Sequence, residues 1–477
     1  MIENLPMILG EADKVYKSAR GIEASHLLWS IVIGIVILLF MIIYFKVHPF
    51  IALLITSMGV GLAAGLSPME TIKSVQSGMG GTLGFVAIVV GLGAMFGRML
   101  EVSGGAESLA RSIVKMFGSK NSQWALVITG FLISIPVFLD VGLVILIPIV
   151  YSLSKKAGKP LLYYGIPLLA GLAVTHSFIP PTPGPVIGAQ NLGADLGLVI
   201  LFGAIAGIPA AIIAGPIFAR YISDKVKTNI SSFTLDTNKP ELEDKDLPGF
   251  GLVMFLILLP LVMMLIGTMA VLPSVKPYLT WGTADGGSFH LYEMIAFVCH
   301  PFVALIVVSL VAFKLLSRYG SYSREDVQEI ATKSLEPAGI IILVTGAGGV
   351  FKAVLKDSGV ADVLGSMMEE SSLPVLLIAF LIATMVRVAQ GSATVTMVIT
   401  STLMAGATGM TGPTAALGVI AIACGATVFS HVNDSGFWLV SRFFGMNVKD
   451  TLKSWTMMET IIGVVGFVMV LIISAFI

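Results

Sequence analysis

Charged residues are scarce in this sequence. Asp, Glu, Lys and Arg make up 12% of its 477 residues, and the 28 basic residues balance the 28 acidic ones. A soluble domain carries about 25% charged residues, so the composition is not that of an ordinary soluble protein. Because the formal net charge is zero, nothing in the charge balance indicates a nucleic-acid partner.

Cysteine and catalytic motifs are equally scarce. Cys299 and Cys424 both lie in apolar runs, where packing is their expected role, so neither a disulfide framework nor a metal site is indicated. The sequence contains no metal-ligand spacing and no serine-nucleophile signature. The Gly-x-Gly pairs at 91–93 and 346–348 follow no strand, and helix packing explains them better than dinucleotide binding. We therefore expect no enzymatic activity, no cofactor and no metal.

Apolar residues are abundant, at 56% of the chain. A bilayer-spanning helix needs about 20 apolar residues, and runs of that length recur at 25–45, 49–66, 250–272 and 454–477. No small-residue cleavage site follows the first run, so we expect a retained helix preceded by an N-terminal extension at residues 1–24. The composition predicts an all-α, polytopic protein of the cell inner (plasma) membrane, with the lipid bilayer as its surroundings.

The chain contains an internal repeat. Residues 91–106 (GLGAMFGRMLEVSGGA) match residues 346–361 (GAGGVFKAVLKDSGVA) at an offset of 255, which also carries His176 onto His431. At an offset of 252, the block that starts at His48 matches the block that starts at His300. We therefore predict repeat 1 at 25–220 and repeat 2 at 249–477, separated by a polar linker at 221–248.

Each repeat is predicted to hold five transmembrane helices, one of them broken, and one interrupted segment that returns to its own side as a re-entrant hairpin. The hairpins are predicted at about 122–151 and 373–411, and the broken helices at about 162–195 and 413–449. Three helices precede each hairpin, at 25–45, 49–66 and 83–101 in repeat 1 and at 250–272, 290–316 and 338–356 in repeat 2. A last helix closes each repeat, at 197–219 and at 452–477. Five crossings are an odd number, so the two repeats must have inverted topologies.

Lys and Arg predict the orientation. With the linker on the cytoplasmic side, the loops on that side hold 19 of the 28 Lys and Arg residues. Short cytoplasmic loops of membrane proteins carry such an excess, so we expect a cytoplasmic linker and both termini outside.

Two kinds of helix break predict the substrate site. They are the tips of the two hairpins, at Ile135–Asp140 and Gln390–Thr394, and the breaks within the two broken helices, at Ile179–Pro185 and Asn433–Gly436. Irregular backbone at membrane depth survives where it is buried in protein or lines a cavity, and inverted-repeat transporters bind substrate at such breaks. Half-helix N-termini also present N–H groups that suit an anion. The predicted substrate-binding residues are Thr175, His176, Ser177, Arg387, Gln390, Gly391, Ser392, Thr394, Ser430, His431 and Asn433.

Two acidic residues at the breaks are candidates for proton coupling. Asp140 interrupts an apolar stretch (PVFLDVGLVILIP), where burial favours the neutral form of a carboxyl group. A structural carboxylate, paired with Arg or capping a helix, is the alternative for Asp140. Asp434 lies in Asn-Asp-Ser-Gly, a sequence that also indicates a turn.

The basic candidates also have alternatives. Arg387 can pair with Asp140 or Asp434, bind a substrate carboxylate with its fork of donors, or extend to the membrane surface as a topological residue. His176 and His431 occupy equivalent positions beside the breaks and are either proton-relay or packing residues. Next to Pro at helix ends, His48 and His300 are better explained by a structural role.

The sequence resembles the gluconate permease (gluconate:proton symporter) family over about residues 27–477. The similar stretches are GGTLGFVAIVVGLGAMFGRMLEVSGGAE (80–107), THSFIPPTPGP (175–185), RVAQGSATVT (387–396) and FSHVNDSGFW (429–438). The resemblance implies an elevator-type carrier that imports gluconate or a related sugar acid, a small organic anion, by proton symport. Elevator carriers need a static scaffold, so it also implies a homodimer built on helices at 25–66 and 250–316.

Two departures from the family pattern leave the substrate open. Asp140 stands where gluconate carriers have Glu, and Thr182 stands where we expect His between the prolines. Family members also carry D-serine, fructuronate, glycerate or hydroxybutyrate. An anion channel is the alternative from another class, but a long inverted repeat that forms its own site favours a carrier.

Overall fold

The computed structural model describes residues 22–228, 246–282, 288–360, 363, 374–405, 410–432 and 434–477. Its regular structure in these ranges is helical apart from one short antiparallel pair, β1 (Thr280–Gly282) with β2 (Ser288–His290). The all-α prediction is therefore confirmed apart from this hairpin, which the sequence did not predict. The N-terminal extension and most of the linker 221–248 lie outside the described residues.

The first half of the chain forms ten α-helices in the described ranges. They are α1 (Ala24–Ile43), α2 (Pro49–Ala63), α3 (Pro68–Val102), α4 (Gly105–Phe117), α5 (Ser122–Ile133), α6 (Leu139–Ala157), α7 (Leu161–Phe178), α8 (Pro183–Leu192), α9 (Leu196–Ile212) and α10 (Phe218–Ile222). A π-helical turn, Ile213–Ile217, joins α9 to α10. Helices α5 and α6 form the first interrupted segment, and α7 and α8 the first broken helix.

The second half follows the same plan. Its helices are α11 (Phe250–Val271), α12 (Leu291–Val298), α13 (Pro301–Leu316), α14 (Arg324–Asp357), α15 (Val375–Gln390), α16 (Ala393–Ala405), α17 (Gly412–Thr427), α18 (Ser435–Phe443), α19 (Val448–Thr451) and α20 (Met457–Ser474). A π-helical turn, Leu452–Thr456, precedes α20. Helices α15 and α16 form the second interrupted segment, and α17 and α18 the second broken helix.

Equivalent caps begin equivalent helices in the two halves. Ser67 starts α3 and Ser323 starts α14, each with a reciprocal capping box to the acidic residue three positions later. The ring Nδ1 atoms of His48 and His300 each accept a backbone N–H at the start of α2 and α13, at 3.3 Å. The repeated sequence blocks therefore correspond to repeated helix starts.

Two helices are longer than hydropathy predicts. The expected helices at 83–101 and 338–356 are the C-terminal parts of α3 and α14, which begin at Pro68 and Arg324. The added turns contain charged residues, which lower the local hydropathy, while the capping boxes still start the helix there. Helix boundaries therefore followed the caps rather than the apolar run.

Seven helices or helix pairs in the described ranges are long and apolar enough to cross a membrane, and the α12–α13 pair, bent by 51°, makes eight. Ten crossings were predicted, and the remaining two would be α2 and the α17–α18 pair. Helix α17 has 16 residues, about 24 Å at 1.5 Å per residue, against a hydrocarbon core of about 30 Å. A multi-pass membrane protein is confirmed, while the count of ten and the inverted topology stay predictions.

Glycines allow the close packing that holds the interrupted segments. Long helices α3 and α14 cross where a Cβ on Gly349 would lie 2.6 Å from the carbonyl oxygen of Gly78. In the first half Gly171 of α7 lies directly against the backbone of α5, and in the second half Gly425 of α17 lies against the backbone of α15. Each interrupted segment thereby packs closely against the first helix of the neighbouring broken helix.

Candidate functional site

The first tip and the first break meet at helix α3. The chain turns at Ser134–Phe138 between α5 and α6, and at Ile179–Thr182 between α7 and α8. Gly93 of α3 packs on Pro181 of the break. Both turns line a crevice of about 10 Å³, which has room for about one water molecule. This half of the candidate site is therefore closed in the structure.

Asp140 does not have its expected environment. It lies in the first turn of α6, and its side chain is exposed. The expectation of a buried carboxyl group is therefore wrong, because the first turn of α6, which begins at Leu139, leaves the Asp140 side chain exposed. Unpaired N–H groups and the helix dipole stabilise a carboxylate at such an N-terminus.

The second tip is a tight turn, Gly391-Ser392, between α15 and α16. Gly391 has a φ of +90°, in the left-handed region that favours glycine, and its N–H donates to the carbonyl oxygen of Arg387 at 2.9 Å. The backbone N–H of Ser392 donates to Oε1 of Gln390 at 2.8 Å. Thr394 follows, half-buried, in the first turn of α16. Gln390 and Ser392 therefore shape the tip through local hydrogen bonds.

The second break is longer than predicted. Helix α17 ends at Thr427 and α18 begins at Ser435, so Ser430 and His431 lie in non-helical chain. The ring Nδ1 of His431 lies 2.8 Å from the carbonyl oxygen of Phe429. Asn433, one of the predicted substrate-binding residues, lies outside the described residues.

Arg387 joins the second tip to the second break. Its guanidinium donates to the carbonyl oxygen of Gly391 and to Oδ2 of Asp434, the latter at 2.5 Å. The two charged side chains are 2% and 13% exposed. Asp434 also accepts the Ser430 hydroxyl at 2.5 Å and the Gly436 N–H at 2.9 Å. Of the pairings left open for Arg387, the structure contains the one with Asp434, and its donors suit an ionised carboxylate.

The last helix supports the second break and was not part of the predicted site. The indole N–H of Trp455 donates to the Ser430 hydroxyl at 2.7 Å, and the Thr456 hydroxyl donates to the Ser430 carbonyl oxygen. Both residues belong to the π-helical turn Leu452–Thr456. Single π-helical turns within α-helices are frequent at functional sites.

Glu459 is the acidic residue that the sequence reasoning missed. It lies one turn beyond Trp455 in α20, is 4% exposed, and interacts electrostatically with both Arg387 and Asp434. Its Oε1 atom has no hydrogen-bond partner among the described residues. The signal was present, because Glu459 is the one charged residue in the apolar run 454–477. A single charged residue inside an apolar run is the same signal that indicates Asp140.

The last turn of α7 lies between the first tip and the second break. Thr175 and Ser177 are buried there, and the half-buried His176 packs on Phe138 of the first tip with ring centroids 6.0 Å apart. The His176 ring interacts electrostatically with Asp140 and with Asp434. In the described part of the chain, Thr175 Oγ1 and His176 Nδ1 are buried without a hydrogen-bond partner. His176 therefore lies between the first tip and the second break.

The helix N-termini at the breaks offer fewer N–H donors than expected. Pro183 and Pro185 occupy the first turn of α8 and have no N–H. Ser392 accepts an N–H of α16, and Asp434 caps α18. The N-terminus of α6 has no side-chain cap, so it keeps its donors, beside the carboxylate of Asp140. Among the described breaks, the first turn of α6 therefore keeps the most unpaired N–H groups, and Arg387 supplies a full positive charge.

Known proteins resemble this chain over nearly its whole length. Residues 26–476 match the family model described as GntP family permease. A gluconate permease of Pseudomonas aeruginosa is 38% identical over 452 residues, 94% of this chain and 98% of that protein. A low-affinity gluconate transporter of Escherichia coli (strain K12) is 40% identical over 436 residues, 91% of this chain and 95% of that protein. The Gnt-II system L-idonate transporter of the same strain is 36% identical over 442 residues, 93% of this chain and 98% of that protein.

Two solved transporter structures share the fold. The YdaH transporter of Alcanivorax borkumensis aligns with a TM-score of 0.60 at 14% identity, over 90% of this chain and 98% of that one. MtrF of Neisseria gonorrhoeae aligns with a TM-score of 0.57 at 15% identity, over 91% of this chain and 96% of that one. At such identities the likeness shows the architecture alone.

Proposed function

The chain belongs to the GntP family of permeases, and from that premise we propose that it imports gluconate or a related sugar acid across the inner membrane together with protons. The resemblance drawn from the sequence motifs is thereby confirmed, and the chain is a membrane transporter, not an enzyme. The substrate class is supported by relatives named for gluconate and for L-idonate, two acids with one carboxylate and several hydroxyls.

The arrangement around Arg387 carries the substrate proposal. A buried guanidinium lies at the junction of the second tip and the second break, and its Nε has no hydrogen-bond partner in the ranges that the structure describes. Thr175 and His176 add unpaired polar atoms, and Ser392 and Ser430 add hydroxyls. A carboxylate with several hydroxyls can satisfy the unpaired atoms of Arg387, Thr175 and His176, whereas an apolar solute would leave each of these three unpaired at a cost of about 1–3 kcal/mol.

The movement we propose is of the elevator type. The hairpins α5–α6 and α15–α16, with the broken helices packed on them, would carry the site across the bilayer. Helices α1–α2 and α11–α13, in two inverted repeats, would form the static scaffold and the contact of a homodimer. A monomer that is fully active in nanodiscs would remove the dimer from this proposal.

Coupling to protons requires a carboxyl group that gains and loses a proton during transport. Asp140 and Asp434 are the candidates that the sequence indicates. Asp140 is exposed at the first tip, and Asp434 is paired with Arg387. Replacement of Asp140 by Asn tests the first of them directly, since unchanged uptake would exclude Asp140 as the essential proton carrier.

The proposal is tested by uptake into proteoliposomes. Radiolabelled gluconate should accumulate when the outside is acidic, and unlabelled sugar acids should compete while glucose does not. A sodium gradient at equal pH should give no accumulation. If glucose inhibited uptake as well as gluconate does, anchoring through the carboxylate would be wrong. A carrier, unlike an anion channel, should also show accelerated exchange when unlabelled gluconate is preloaded inside.

A further inference from the structure

Glu459 is buried near the Arg387–Asp434 pair, and among the described residues it forms no ion pair of its own. Its helix α20 packs against α17, α9 and α7 and against the π-helical turn Ile213–Ile217. Arg387 and Asp434 are the charged groups that act on it. Helix α9 and the turn after it contain no titratable residue, and α17 contributes the buried thiol of Cys424. Helix α7 contains Tyr163 and Tyr164 in its first turn and His176 in its last.

The charges in this cluster do not balance. Two carboxyl groups interact electrostatically with one guanidinium, that of Arg387: Asp434 through a direct ion pair, and the buried Glu459 without one among the described residues. Asp434 accepts hydrogen bonds from the Arg387 guanidinium, the Ser430 hydroxyl and the Gly436 N–H, a set of donors that suits a carboxylate. Glu459 Oε1 has no donor among the described residues, and an unpaired charge in a buried site is strongly disfavoured. A proton on Glu459 removes the excess charge.

We infer that Glu459 is the residue that binds the coupling proton, while Asp434 stays ionised in its pair with Arg387. The inference rests on the proposed proton-coupled import and identifies the group that performs it. The proton occupies one carboxyl oxygen of Glu459 as an O–H group, and it leaves when the site opens to the less acidic side.

The position of Glu459 explains why substrate and proton would travel together. With Glu459 ionised, Arg387 already faces two anions, and a third anion from the substrate is repelled. With Glu459 neutral, the cluster has no net charge and Arg387 can attract the substrate carboxylate. Coupling between two binding events is reciprocal, so substrate favours protonation by the same factor, typically about 5–150-fold.

The test uses the full chain in proteoliposomes, the variants Glu459→Gln and Glu459→Asp, and the control Glu329→Gln, which removes an exposed carboxylate of α14. Gluconate binding to the wild type should weaken by about 5–150-fold from acidic to alkaline pH. The Gln variant, neutral at every pH, should bind with little pH dependence. It should also exchange external for internal gluconate but not accumulate it on a pH gradient. The Glu329→Gln control should keep gradient-driven accumulation.

Three outcomes separate the proposed proton coupling from the role inferred for Glu459. If the wild type itself shows no accumulation on a pH gradient, the proposed proton coupling fails, and this inference with it. If the wild type accumulates gluconate and Glu459→Gln does so equally well, the inference alone is overturned. If the Gln variant does not fold, Glu459→Asp decides: it keeps a carboxyl group and should accumulate gluconate with a displaced pH profile, while a wild-type profile would overturn the inference.

Discussion

Removing the guanidinium of Arg387 should destabilise the protein as well as weaken binding. In Arg387→Gln the carboxylate of Asp434, 13% exposed, loses the charge 2.5 Å away and keeps the Ser430 and Gly436 donors. Two unit charges about 4 Å apart interact by about 4 kcal/mol at an effective dielectric constant of 20. Breaking a buried pair by removing one partner costs about 3–5 kcal/mol for the same reason.

The chain supplies a matched control for this measurement. Arg98 pairs with Glu101 on α3, but their side chains are 42% and 21% exposed, and such surface pairs contribute about 0–1 kcal/mol. Unfolding of Arg387→Gln and Arg98→Gln in detergent, followed by circular dichroism, should therefore differ by several kcal/mol. Adding Asp434→Asn to Arg387→Gln should recover part of the loss. If both Arg variants were equally stable, the reasoning about a buried ion pair would be refuted.

Further predictions concern packing, capping and orientation. Gly97→Ala should destabilise the protein by about 1–3 kcal/mol in a thermal unfolding assay, because the added Cβ would overlap the carbonyl oxygen of Pro136. Gly84→Ala, on the same helix, is the control: its Cβ would meet open space, so it should be neutral or stabilising in the same assay. Ser67→Ala should cost about 1 kcal/mol through loss of the capping box, and an unchanged unfolding curve would contradict that role. A cysteine introduced at Lys225 should react with a membrane-impermeant maleimide from the cytoplasmic side, and labelling from outside would invert the topology proposed.

The positions of the breaks were predictable because their signals are local. Ile179–Pro185 contains four prolines, which remove backbone donors and end a helix wherever the rest of the chain lies. The tip at Gly391 needs a left-handed residue, and glycine supplies it. Helix α17 ends at Thr427, earlier than the break predicted at Asn433–Gly436. Val428–Val432 contains no proline or glycine, so no local signal ends the helix there. Its non-helical backbone is held by the Thr456 hydroxyl, which donates to Ser430, and by the Thr460 hydroxyl, which accepts the Phe429 N–H.

The sequence by itself determined that this is a helical membrane protein with two similar halves and a break in each. The length of the apolar runs, the repeated blocks and the prolines can all be read directly from the order of residues. Tertiary structure alone decided which charges meet. Arg387 was free to pair with Asp140 or Asp434, and only the packing of α15 against α17 and the second break selected Asp434. Glu459 was visible as a charge in an apolar run, but its neighbours come from elements 25 and 72 positions away, at Asp434 and Arg387. Charge interactions depend on distance in space and on exclusion of water, and neither can be read from the order of residues.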